Sequence, residues 1–186
     1  MVTIGSLWLA ILLSAVVVFV LSAIFWTVSP HHKKDFQPLP DEGAALSALR
    51  PQNLAPGLYW MPHAEPQAMK DPAVVEKYKQ GPVAILTVMK SGVPGMGKSM
   101  ALAFVWYLIV GVFVAYVASR HLPAGAEYLA VHRLVSVTAF LAYGMCVVQD
   151  SIWFGRPWSF SCKILLDGLV YGLFTGGVFG WLWPGT

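Results

Sequence analysis

The run "GSLWLAILLSAVVVFVLSAIFWTV", Gly5 to Val28, holds no charged residue over 24 positions. About 20 apolar residues in a helix are enough to cross the hydrocarbon core of a bilayer. A run of this length must be covered either by a large protein core or by lipid. Composition decides between the two, because charged residues make up only 11% of the 186-residue chain, against about 25% in soluble domains. No Lys or Arg precedes the run, and Trp8 and Trp26 bracket it. It therefore reads as a retained transmembrane helix with interfacial anchors rather than as a cleaved signal peptide.

Three more stretches have the same character: Ser99–Ser119, Tyr128–Gln149 and Trp158–Trp183. The last two carry charges near their starts, where long side chains can reach the headgroups. The expected fold is an all-α integral membrane protein with four transmembrane helices and a small α+β unit at 29–98 between the first two. In that unit "LPDEGAALSAL" reads as a short helix with Asp41 and Glu42 in its first turn, "DPAVVEKYKQG" as a helix capped by Asp71, and "GLYWMP" and "PVAILTVMK" as strands. About 70 residues are marginal for an independent domain. Basic residues cluster in "HHKKDF" and "MKSGVPGMGK" and recur at Arg156 and Lys163. The positive-inside rule then places 29–98 and Asp150–Pro157 in the cytoplasm, with both termini outside. A net charge of +3, with lysines interspersed among acids, gives no footprint for nucleic acid. The partners expected are membrane lipid and other membrane-protein subunits, or a second copy of the chain.

"GVPGMGKS", Gly92 to Ser99, matches the phosphate-loop pattern letter for letter. Gly92, Gly97, Lys98 and Ser99 would supply its backbone donors, cation and hydroxyl. The motif needs a parallel sheet behind it, yet here the following helix is a membrane span. The simpler reading is a glycine turn into that span, anchored by Lys98.

Gly168, Gly172, Gly176 and Gly180 recur every four residues in the last span. Positions four apart share a helix face, so these glycines form a groove for close helix packing. Lys163 and Asp167 are also four apart, which predicts an intramembrane charge pair on one face. "PHHKKDF" has metal-binding residue types. Adjacent histidines leave a helix in different directions and no x₃ or x₄ spacing fixes a ligand set, so no metal, cofactor or catalytic residue is assigned. Cys146 and Cys162 lack C-x-x-C spacing and read as small buried hydrophobes.

The string "PHHKKDF", "LPDE", "PGLYWMP", a short helix, then "GP" and a strand, followed by a Met-Gly turn into closing helices, resembles a family of small bacterial inner-membrane proteins with a PHHKxDF…LPDE…PGLYxxP pattern. The resemblance covers nearly the whole chain. It implies location and architecture, and it brings no established activity. The GKS ending lies outside that pattern. The leading expectation is a non-catalytic accessory, assembly or structural subunit of a membrane complex. The alternatives are a small oligomeric transporter or channel using the glycine face with Asp167 and Lys163, and a nucleotide-binding protein using Gly92–Ser99.

Overall fold

The computed structural model describes residues 2–93 and 95–185. The chain is an α-helical membrane protein. Four helical stretches are long and apolar enough to span a bilayer: Gly5–Val28, Met96–His121, Tyr128–Phe154 and Trp158–Trp181. A two-stranded sheet falls between the first and second in chain order. The chain divides into two compact units, Met1–Phe36 with Gly95–Thr186, and Gln37–Pro94.

In the helical unit, α1 (Trp8–Ala23) ends in a π turn at Ile24–Val28, closed by the Ser29 amide donating to the Ile24 carbonyl at 2.8 Å. A short 3₁₀ turn, Pro30–His32, follows. Small and β-branched residues make the seam between α1 and α4 (Met96–His121), where Ala10 and Ile11 join Val110, Val114 and Ala115 in one buried cluster. Gly111 permits the close crossing, since a Cβ there would stand 3.1 Å from Ile11 Cγ2. Val16, Val20, Val112 and Phe113 point outward. Lipid covers such faces in a bilayer; in water they would be an aggregation hazard.

Next come α5 (Tyr128–Tyr143), α6 (Val147–Phe154) and α7 (Trp158–Trp181). The single helix expected to Gln149 is interrupted at Gly144–Cys146. The amides of Val147, Val148 and Gln149 reach back only three residues, at 3.3–3.4 Å, in a tightened turn. Gly144 has low helix propensity, and α7 presses on it: a Cβ on Gly168 would lie 2.8 Å from Gly144 Cα. The expected second span also starts early, at Met96 rather than Ser99. The last helix stops at Trp181, two residues before Trp183, whose indole Nε1 donates to the Pro123 carbonyl at 2.9 Å. Cys146, in the turn between α5 and α6, and Cys162, in α7, are exposed, which corrects the buried reading.

The smaller unit holds α2 (Glu42–Leu49), β1 (Gly57–Met61), α3 (Pro72–Gln80) and β2 (Ala84–Val88). Asp41 caps α2 and Asp71 caps α3, each carboxylate accepting a backbone amide at 2.8 Å. The strands pair antiparallel from Gly57↔Val88 to Met61↔Ala84. Tyr78 Oη donates to the Pro62 carbonyl at 2.8 Å and ties α3 to the end of β1. None of the described residues of this unit is buried.

Candidate functional site

The site forms where the chain leaves α1. Ser29 caps the 3₁₀ turn, its Oγ accepting from the His31 amide at 3.2 Å, and Pro30 fixes the first turn position. This turn carries His31 and His32 to α7. His32 Nε2 lies 2.8 Å from Asp167 Oδ2, and His31 Nε2 lies 3.2 Å from Asp167 Oδ1. The other ring nitrogen of His32, Nδ1, is 2.5 Å from Asp35 Oδ2. Lys163 Nζ donates to the other Asp35 oxygen. The five side chains make one line of alternating donors and acceptors: Lys163, Asp35, His32, Asp167, His31.

The inner members are dry. The side chains of His32, Asp167 and Asp35 are 3%, 4% and 5% exposed, and those of Lys163 and His31 are 26% and 29%. Aromatic rings close the site. Trp26, on the π turn, stacks on the His32 ring at 4.0 Å with planes 6° apart, and Phe25 stacks on Tyr171 at 5.9 Å. A π turn at the end of a helix is a frequent companion of functional sites; here it carries the two rings that cover the cluster. Burial pushes the Asp35 carboxyl up, but the hydrogen bonds from Lys163 and His32 outweigh it and hold the group below its ordinary value.

A buried carboxylate is costly unless it is paired and hydrogen-bonded. Here each carboxylate has two partners. Both ring nitrogens of His32 face carboxylate oxygens, and an ionised oxygen can only accept. Each side of the ring therefore needs a proton or another cation. A ring nitrogen of His31, one of His32 and a carboxylate oxygen of Asp167 all lie within 4.8 Å of one another, a nitrogen-rich donor set suited to a metal ion.

This arrangement corrects the charge pair expected within α7. Lys163 and Asp167 each bind a partner from the segment after α1, Asp35 and the two histidines. Two spacings of four, His31 to Asp35 and Asp167 to Lys163, face each other with opposite sense. The objection that adjacent histidines diverge also fails here, because one carboxylate presents an oxygen to each ring.

Of the four repeat glycines, Gly168, Gly172 and Gly176 sit against backbone and Gly180 against a ring. A Cβ on Gly172 would stand 2.7 Å from the Ser136 carbonyl oxygen, on Gly176 2.8 Å from that of His132, and on Gly180 2.7 Å from the Tyr128 ring. The face is filled by α5 of the same chain. A channel built around it, the alternative raised from the sequence, has no free glycine surface to use.

The Gly92–Ser99 stretch includes Pro94, which lies outside the described residues. Of the rest, Gly97, Lys98 and Ser99 lie in the first turn of α4. The strand ahead of them is half of an antiparallel pair, in place of the parallel sheet that a phosphate loop requires. Asp150, in α6, pairs with Arg156 at 3.3 Å.

No family model, curated protein or solved structure matches the chain.

Proposed function

We propose that the chain is an accessory or assembly subunit of a larger complex in the bacterial inner membrane, with the Gln37–Pro94 unit as its docking face on the cytoplasmic side. One observation carries the reading. Not one described residue of this unit is buried, and Leu58 and Met89 are 76% and 71% exposed. A unit of this size gains its stability from burying apolar surface, and one that buries so little needs a second surface to complete it.

Charge argues for a protein as that surface. The unit carries five basic residues (Arg50, Lys70, Lys77, Lys79 and Lys90) against five acidic ones (Asp41, Glu42, Glu65, Asp71 and Glu76). A balanced unit gains nothing from the negative potential of a lipid surface. The basic residues at the span ends favour the cytoplasmic side.

The test is a photo-crosslinking residue at Leu58 in cells at native expression, with one at lipid-facing Val112 as the comparison. The reading predicts a discrete protein adduct at Leu58, and loss of the same protein, at fixed stoichiometry, from particles purified with Leu58→Asp. A clean particle containing only this chain, with no adduct at Leu58, contradicts it.

A further inference from the structure

The geometry points to a divalent transition-metal site, of the zinc or ferrous class, built from His31, His32 and Asp167. Bonds of about 2.0–2.2 Å at octahedral or tetrahedral angles place neighbouring ligand atoms about 2.8–3.6 Å apart. His32 Nε2 stands 2.8 Å from Asp167 Oδ2 and His31 Nε2 3.2 Å from Asp167 Oδ1, so each imidazole is at that separation from one oxygen of the shared carboxylate. One ligand atom from each of the three residues falls within 4.8 Å of the others, and a bound ion draws them together. A metal ion takes the place of the Nε2 protons that face Asp167: the His32 proton leaves to solvent, and His31 ligates as the neutral imidazole with its remaining proton on Nδ1.

The support around the ligands fits the same chemistry. A metal-bound histidine characteristically donates its other ring N–H to a carboxylate, which fixes tautomer and ring orientation. Asp35 is in that position at His32 Nδ1, 2.5 Å away, and its other oxygen accepts from Lys163 Nζ. The stacked Trp26 fixes the plane of the imidazole. One helical turn past Asp167, the hydroxyl of Tyr171 is buried with no hydrogen-bond partner, although tyrosine hydroxyls normally find one when buried. A histidine held only as part of an ion pair has no need of a second carboxylate, a stacked ring and a second imidazole converging on the same acid.

Two imidazoles and one carboxylate select borderline metals over calcium or magnesium, which prefer oxygen. Three protein ligands leave at least one position open, the pattern of reactive rather than purely structural zinc sites. His31, the most exposed of the three ligands, marks the side from which an ion enters. The site stands whether or not the smaller unit docks a partner.

The test uses the full chain purified in mild detergent, stripped with chelator and titrated with cobalt(II) alone, then competed with zinc. Expected are visible ligand-field bands saturating at one cobalt per chain, and loss of those bands on adding zinc. His31→Ala, at a side chain 29% exposed and hence tolerant of removal, lowers affinity by about 100-fold or more. Asp35→Asn still saturates at one ion but weakens binding by about 10–100-fold, as loss of an outer-shell partner does. His63→Ala, outside the cluster, changes nothing. The proposal is overturned if the native chain shows no cobalt bands up to about 1 mM metal, a far weaker binding than dedicated sites achieve. It is equally overturned if His31→Ala binds as the native chain does, or if His63→Ala removes the site.

Discussion

The helical unit and the smaller unit solve the burial problem in opposite ways. The helical unit packs closely through small residues: a Cβ on Gly172 or Gly176 would stand 2.7–2.8 Å from the backbone of α5, while Leu169 and Leu173 face out. The smaller unit has sound local chemistry, with aspartate caps, a proline at the first turn of α3 and a registered strand pair, yet none of its described residues is fully buried. Local rules are enough to write secondary structure. A self-sufficient fold also needs area removed from water or filled by neighbours. The helical unit finds that in packing and lipid, and the smaller one is left to find it elsewhere.

Substitutions can break this contrast, and the largest effect is expected in the buried cluster. His32→Ala removes the centre of the line and leaves two dry carboxylates short of a partner. The cost is about 3 kcal/mol, at the low end for a broken buried pair, because His31 and Lys163 each retain one of the acids. Thermal unfolding in detergent measures it. Gly172→Ala comes next: its methyl meets the backbone of α5, which cannot move aside, so overpacking costs about 1–3 kcal/mol in the same assay. Gly177→Ala, one position off that face and 3.6 Å from the Tyr128 hydroxyl, is its control and should stay within about 0.5 kcal/mol.

Asp71→Ala sharpens the comparison from the other side. It removes a cap worth about 1 kcal/mol, but the loss stays in α3: proteolysis within the smaller unit accelerates, while the unfolding of the helical unit does not shift. The smallest effect belongs to Gly97→Ala, in the stretch that imitates a phosphate loop. A Cβ there meets nothing within 4 Å, so stability changes by less than about 0.5 kcal/mol.

The spans were legible because an uncharged run of membrane length has few other destinations. The break at Gly144 was not, because hydropathy continues smoothly through "YGMCVVQ" and only the pressure from α7 marks the spot. The cap at Asp71 and both strands follow from local signals, which act within a few residues; Asp41, expected in the first turn of α2, stands one position earlier as its cap. The site was half legible. "PHHKKDF" and the Lys163–Asp167 spacing each stood out, but separately. His32 and Asp167 are 135 positions apart, beyond any periodicity, and the nearest opposite charge on the same helix was the natural partner to assign. A signal was present all the same: an acid and a base four apart in α7 match a histidine and an acid four apart after α1, and the two sets satisfy each other when the segments meet. The glycine repeat announced close packing but not its occupant, which depended on the neighbour that folded against it.

Hydrogen exchange on the purified chain, alone in detergent, tests the contrast most directly, because amide protection reports how much local structure survives without help. The account predicts two tiers: slow exchange along α4, α5 and α7, and exchange near the unstructured rate in Gly57–Met61 and Ala84–Val88. Strand amides as protected as those of α5 would contradict it, because the smaller unit would then be complete without a partner.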